Sequence, residues 1–513
     1  MSSLNERVRA LPPAALHGIR RGIEKESLRV QADGALALTP HPAALGSALT
    51  HSHITTDFSE AQLELITGVH AGVEACVEEL TQIHQFVYRM IGDEMLWVAS
   101  MPCSLPADEA IPIGRYGSSN VGRAKSVYRL GLGHRYGRRM QTISGIHYNW
   151  SMPGVSNDGY FGLIRNFRRH AFLLLYLFGA SPAVCSSFVA GRHHALQVLN
   201  EHTLYMPHGT SLRMGRLGYQ SDAQASLEVS YNSLERYAAS LQEALTRTYP
   251  RYEAIGIRNA EGEYKQLATS LLQIENEFYG TIRPKRVILP CERPLHALRE
   301  RGVEYVEVRC MDLDPFVPVG IAPQTMRFLD LFLLHCLLAD SPPDTPQEIA
   351  ALARNQERVA GRGREPGLRL ECGDGEPLLT EWGGRVIEEC APIAAALDAA
   401  HGGTLYRDAL TAAADALRAG DGLPSTRVLA TMARDFDNSH NRFVLTQSER
   451  TRDTLLCLPF TTEVDARFRD QTQKSIDAQQ TIETMDTLPF EDYRRQYLLS
   501  ERLGTPGTSM HRE

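Results

Sequence analysis

The chain has no apolar run long enough to cross a bilayer. Its most apolar stretch, AFLLLYLFGA at Ala171–Ala180, is about half of what a spanning helix requires. It reads as a buried helix that stops before Ser181-Pro182. The N-terminus, MSSLNERVRALPPAALHG, has charges at Glu6, Arg7 and Arg9 and no apolar core, so it is not a signal peptide. The expectation is a soluble cytoplasmic protein with no membrane contact. An excess of positive charge is also missing: 53 Lys and Arg stand against 61 Asp and Glu, a net charge of −8. RNFRRH (Arg165–His170) and RPKR (Arg283–Arg286) are too short to form a basic stripe. A nucleic-acid partner is therefore not expected.

Cysteine motifs are missing as well. Nine cysteines are scattered without CxxC and without histidines at zinc-site spacing. Free, reduced thiols are expected, with a Cys372–Cys390 bridge as the alternative under oxidation. HExxH and GxSxG are absent, which disfavours a zincin or an α/β-hydrolase. GSSNVGRAKS (Gly117–Ser126) fails as a phosphate-binding P-loop, because Arg123 and Ala124 separate its second glycine from Lys125. GLGHRYG (Gly131–Gly137) is a poor dinucleotide fingerprint, and no internal repeat is visible.

What is present fits a large globular protein. At 513 residues, 43% of them apolar and 22% charged, the chain can bury a sizeable core. Length alone allows about three average domains or one large one. Apolar spacing predicts a helix over Ala75–Trp97. Met140–Trp150, LLQIENEFYG and VEYVEVRC alternate like strands, with long helical insertions between them. That rhythm favours an α+β protein with a mainly antiparallel sheet over a Rossmann fold. Beyond Phe316 the segments are helical: Thr325–Leu338, Pro392–Ala400, Leu405–Ala419, Ser425–Asp435 and the polar Thr462–Leu488. A soft boundary near residue 340 would separate a catalytic region, 1–340, from a helical region, 341–513.

Five carboxylates stand out on or beside the short strands. Residues two apart on a strand share a face, so Glu24 and Glu26 in GIEKESLRV point together. Asp57 and Glu64 lie in TTDFSEAQLELIT, and Glu307 precedes Arg309 by two in VEYVEVRC. Each has an ordinary explanation: a solvated strand face, a helix cap at Asp57, or a weak surface ion pair. If the segments converge, however, crowded carboxylates need cations to relieve their repulsion. An arginine beside them would suit phosphoryl transfer. His147, in SGIHYNW, faces a ligand or serves as a satisfied core histidine.

Taken in order, RGIEKESLRV, HPAALGSALTHSHITTDFSEAQLELIT, MPC, YGSSNVGRAKSVYRLGL, RYGRRMQTISGIHYNWS, YLFGASPAVCSSF, TSLRMGRLGY, LQIENEFYGTIRPKR and GVEYVEVRCMDLDPFVPVGI resemble the glutamate–cysteine ligase family of proteobacterial type. The match runs from Gly18 to Ile321, then thins to RFLDLF, the proline turn and TLPFEDY. The resemblance implies a fold similar to glutamine synthetase, a curved antiparallel sheet forming a funnel with helices outside. It implies an ATP-dependent joining of the γ-carboxylate of L-glutamate to the amine of L-cysteine through γ-glutamyl phosphate, the first step of glutathione biosynthesis. By the same resemblance Glu24, Glu26, Asp57, Glu64 and Glu307 hold several Mg2+ ions, or Mn2+ in their place, and Arg309 contacts the transferred phosphoryl group. Phe58, Tyr128, Leu132, Gln141, Arg213, Tyr219 and Tyr279 form the cysteine pocket, with Arg213 on the substrate carboxylate. His147, Asn149, Asn276 and Arg283 are candidate contacts to ATP or glutamate. The implied enzyme works as a monomer on small molecules. Two alternatives stay open: a related ligase with another amine acceptor, and a catalytically silent metal- or nucleotide-binding relative.

Overall fold

The computed structural model describes residues 3–218, 227–290, 292–373 and 375–504. Ten strands are named in chain order: β1 (Arg20–Val30), β2 (Ile54–Thr56), β3 (Gln62–Ile66), β4 (Met95–Leu96), β5 (Ile146–Ser151), β6 (Ala183–Cys185), β7 (Gln197–Asn200), β8 (Thr203–Tyr205), β9 (Ile282–Lys285) and β10 (Tyr305–Met311). Seven form an open sheet in the order β2-β3-β1-β5-β10-β9, with β4 paired to β1. Every pairing is antiparallel. The remaining three make a small sheet, β6-β8-β7.

Strand alternation divides the main sheet into two faces. Ile23, Leu63, Leu65, Tyr148, Trp150, Val306 and Val308 are buried on one of them. They join a continuous apolar cluster with the helices Val73–Met90, Asn157–Phe178 and Pro323–Leu338. Each fully buried Leu, Ile or Val contributes roughly 1.5–3 kcal/mol of hydrophobic stabilisation, so this face holds the sheet against its helices. The same cluster includes Leu379, Ile393 and Leu397 of the Leu379–His401 helix. The polar Thr462–Met485 helix is anchored by Phe468, which stacks on Phe86 at 5.1 Å. No helix among the described residues is long and apolar enough to cross a membrane.

Four expectations need correction. The helix expected over Ala75–Trp97 ends at Met90, because Gly92 takes φ +64° and the chain re-enters the sheet as β4. Met140–Thr142 forms a single 3-10 turn, and the strand begins only at Ile146. LLQIENEFYG is not a strand: Glu275–Glu277 is also a 3-10 turn. Its acidic side chains are not solvated, since Glu277 pairs with Arg135 at 2.8 Å and Glu275 with Arg293 at 2.7 Å, both buried. Nor are all the thiols free. Cys103 and Cys185 are bridged, with their Cα atoms 5.1 Å apart, whereas Cys372 is exposed, Cys390 is buried and both are free. Folding brings together cysteines 82 residues apart, a proximity that no spacing motif encodes.

Candidate active site

Residues directly opposite each other on antiparallel strands share a face. Glu26 lies opposite Glu64, Glu24 opposite His147, and Glu307 opposite both Asn149 and Arg283. This register carries a polar row across β3, β1, β5, β10 and β9, on the face away from the helices. Asp57, in the turn after β2, closes the row at one end, and its N–H donates to the carbonyl of Gln62 at 2.9 Å. Four carboxylates predicted from separate segments thus meet on one surface, with Asp57 beside them. Asp57 does not cap a helix.

The side chains interlock. The Asn149 amide donates to Glu24 Oε1 at 2.9 Å, and His147 Nδ1 lies 3.0 Å from Glu24 Oε2. The Gly145 N–H donates to Glu26 Oε2 at 2.7 Å. Glu307 is clasped by Lys285 at 3.1 Å and by Arg309 at 3.0 Å. The charges are unevenly balanced. Burial raises the Glu307 carboxyl, but Lys285 and Arg309 outweigh it and hold it well below the ordinary range. Glu24 is raised by burial, but the hydrogen bond from His147 together with the charges of His147 and Lys285 leaves it below its ordinary value. Glu26 is pushed up to about 8 by burial and the nearby Asp57, and burial with the Glu24 charge raises Glu64 well above its ordinary range. At the Glu307 end the cations outweigh burial, whereas at the Glu26–Glu64 end Arg213, Arg309 and Arg129 oppose burial without overcoming it.

A cavity of about 610 Å³ opens over this face. Phe58, Tyr128, Leu132, Gln141, Tyr279, Asn276 and Arg283 all line it. The Gln141 amide donates to the Tyr279 hydroxyl at 2.9 Å. Arg213 does not line this cavity. It sits in a neighbouring cleft of about 40 Å³ with Tyr279 and Arg309, and its guanidinium donates to the Arg309 carbonyl at 2.8 Å. Asn149 reaches the site through Glu24. Tyr219 lies outside the described residues.

Three cations in this cavity were not singled out from sequence: Lys285, Lys125 and Arg129. Lys285 had a signal, since it stands two residues after Arg283 in RPKR and so shares its strand face. Lys125 and Arg129 are one turn apart on the Asn120–Tyr136 helix, and both lie over the Tyr116 ring, at 5.2 and 4.5 Å. The aromatic pair Tyr493 and Tyr497 also lines the cavity, from a helix far along the chain.

The family described as glutamate-cysteine ligase matches residues 7–359. The chain belongs to that family. Curated glutamate–cysteine ligases from Alcanivorax borkumensis and Azotobacter vinelandii are 45% and 48% identical to it, over 97% and 93% of this chain and 99% and 94% of theirs. The crystal structure of the glutamate–cysteine ligase of Francisella tularensis, in complex with AMP, superposes with a TM-score of 0.90 at 36% identity. The superposition covers 94% of this chain and 98% of that one. A bifunctional glutathione synthetase from Pasteurella multocida shares the fold at 24% identity and a TM-score of 0.70, over 90% of this chain and 57% of that one. The resemblance read from the motifs is borne out over nearly the whole glutamate–cysteine ligase chain, including its helical C-terminal third.

Proposed function

We propose that the protein joins the γ-carboxylate of L-glutamate to the amine of L-cysteine at the expense of ATP, opening glutathione biosynthesis. The observation that carries this reading is the convergence of Glu24, Glu26, Glu64 and Glu307 on one sheet face, with Arg309 3.0 Å from Glu307. The AMP bound to the Francisella relative supports nucleotide binding by this chain.

The residues fit hard divalent cations. His147 Nε2 is buried and makes no hydrogen bond, and it lies 3.7 Å from Glu26 Oε1. Glu26 and Glu64 lie opposite each other, and burial with neighbouring carboxylates raises both despite Arg213, Arg309 and Arg129. Oxygen donors with one imidazole suit Mg2+, with Mn2+ as a substitute. Glu24, Glu26, Asp57, Glu64 and Glu307 would hold the ions, with His147 as a further donor. When bound, such ions neutralise phosphate charge and make the terminal phosphorus more electrophilic.

The γ-carboxylate attacks the terminal phosphate to give γ-glutamyl phosphate and ADP; the cysteine amine then attacks the acyl carbon and phosphate leaves. Arg309, held by Glu307, stabilises charge on the phosphoryl group in flight. Arg283 and Lys285 neutralise the anionic substrates as they approach. Phe58, Tyr128, Leu132, Gln141 and Tyr279 shape a small pocket for the thiol side chain, and Arg213 steadies the cysteine carboxylate from behind Arg309. These groups fall within the proposed catalytic region, 1–340, on which the helices of 341–513 pack. The proposed enzyme acts as a monomer in the cytoplasm.

The test is to incubate the pure protein with ATP, Mg2+, glutamate and a panel of amines, following ADP and the γ-glutamyl product. Cysteine-dependent ADP release is expected, with 2-aminobutyrate as a weaker acceptor. No cysteine-dependent ADP release from folded protein would overturn the reading.

A further inference from the structure

The fold assembles a second cluster of metal-type donors, and none of them lines the cavity over the main sheet. Cys103 lies in the chain after β4, Cys185 ends β6, and His440 opens the His440–Cys457 helix. The imidazole Nδ1 is 3.2 Å from the Cys103 sulfur and 3.8 Å from the Cys185 sulfur. All three residues are buried, with 3%, 6% and 2% of their surfaces exposed. No step of the proposed ligation uses them.

The surroundings hold the three donors together. The His440 N–H donates to Thr203 Oγ1 at 3.0 Å, and Thr203 stands opposite Cys185 in the β6–β8 pairing. The Trp97 ring packs edge-on to the imidazole, with centroids 6.4 Å apart. Backbone strain gathers at the same place. Three non-glycine residues among those described take a positive φ: Ser104 at 46°, Asp437 at 50° and Asn438 at 61°. The first follows Cys103 directly, and the other two stand just before His440. The Asn441 amide donates to Ser104 Oγ at 3.5 Å and ties the two segments together. Such conformations persist where the surrounding structure enforces them, and they gather at functional sites.

The Cys103–Cys185 bridge is the oxidised state of this cluster. In a reducing compartment, paired cysteines more often bind metal or do chemistry than cross-link the chain. A low-molecular-weight thiol supplies the two electrons and two protons that open the bridge. The S–S bond breaks, both sulfurs become thiols, and the donor leaves as its own disulfide. A metal ion then displaces the two thiol protons to solvent. Sulfurs sharing one ion sit about 3.8 Å apart, each about 3.6 Å from an imidazole nitrogen on the same ion. The distances of 3.2 and 3.8 Å from Nδ1 already bracket the second value. Only the two sulfurs need to part.

We infer that Cys103, Cys185 and His440, once reduced, form a binding site for a thiophilic d10 cation, Zn2+ or Cu+. Two thiolates with one imidazole are the donor set of such ions, whereas Mg2+ takes oxygen ligands. The cluster and the carboxylate row therefore sort different metals. His440 belongs to the helical C-terminal region, and the two cysteines lie in the part that carries the main sheet. A bound ion fastens one to the other, as the bridge alone does not. The inference concerns residues outside the ligase site and stands whether or not the ligase reading does.

The test uses the full-length protein with the exposed thiols removed by Cys372→Ser and Cys457→Ser, and with excess Mg2+ to fill the carboxylates. A phosphine, which ends as its oxide, opens the bridge under anaerobic conditions in the presence of Zn2+, Cu+, or Co2+ as a coloured substitute for Zn2+. Gel filtration then removes unbound ion. One ion per chain is expected to stay with the reduced protein and none with the bridged protein. Competition between Zn2+ and Cu+ decides which of the two the site prefers. Sulfur-to-metal charge-transfer bands should appear with Co2+ and Cu+, and X-ray absorption should find two sulfurs and one nitrogen around the ion. Cys103→Ser and His440→Ala are each expected to weaken binding at least about tenfold. The absorption measurement needs neither variant, so it holds even where these buried substitutions upset folding. No ion retained on reduction, an ion shell without sulfur, or undiminished binding in folded Cys103→Ser overturns the assignment.

Discussion

Glu26 and Glu64 stand directly opposite each other across the β1–β3 pairing, carboxylate facing carboxylate on the cavity side of the sheet. Like charges directly opposite each other on paired strands are destabilising. Without cations the pair is a cost to the fold, which the metal ions of the proposed site would offset.

Glu64→Gln is therefore expected to raise the melting temperature of EDTA-stripped protein by a few degrees, while abolishing ligase turnover. Mg2+ should raise the melting temperature of the unsubstituted chain and leave the variant almost unmoved. Thermal melts with EDTA and with Mg2+ read both effects. A variant that melts lower in EDTA and still gains from Mg2+ would show that Glu64 holds no cation.

Arg309 acts on the reacting phosphoryl group in the proposed reaction, so Arg309→Lys should lower kcat by about 100- to 1,000-fold. Stability should change little, because Lys285 remains 3.1 Å from Glu307 to balance its charge. Rapid-quench measurement of ADP formation beside a denaturation curve separates the two. Near-normal chemistry in this variant would remove Arg309 from the phosphoryl step.

The Cys103–Cys185 bridge closes a separation of 82 residues. Cross-linking a loop of that size restricts the unfolded chain by about 4 kcal/mol. Reductant, or Cys103→Ser, should lower the denaturation midpoint accordingly. Cys457→Ser, at an exposed free thiol, should leave it in place. Equal midpoints with and without reductant would show that the bridge contributes nothing.

His51 gives the stability a pH dependence away from the site. Its Nδ1 accepts the N–H groups of both His53 and Ile54 at 3.0 Å. Burial and the neighbouring His53 lower it from 6.5 to about 4. The folded state thus binds fewer protons than the unfolded chain between these values, and stability falls as pH drops from 6.5 toward 4. His51→Asn keeps an acceptor and removes the titration. Its denaturation midpoint should decline less steeply over that window; a parallel decline would assign the pH dependence to other groups.

Much of this was legible in the sequence, for local reasons. Period-two alternation placed Glu24 with Glu26, and Glu307 with Arg309, on common strand faces. The collinear motifs identified the family and pointed to the carboxylates and to several side chains that line the cavity. Helix periodicity found the C-terminal helices, although Gly92 ended the Val73–Met90 helix earlier than apolar spacing implied. The alternation in LLQIENEFYG misled, because Glu275 and Glu277 are turned inward to buried arginines on other segments.

By itself, then, the sequence determined which residues share a strand face, since side-chain direction follows from neighbouring backbone geometry alone. Only the tertiary structure decided that Glu26 faces Glu64, that Lys285 clasps Glu307, that Cys103 meets Cys185, and that Tyr493 and Tyr497 reach the cavity. Those are matters of strand register and chain crossing. They join residues far apart in sequence, and the energy that selects them lies in the packing of whole faces against their helices, which no short segment contains.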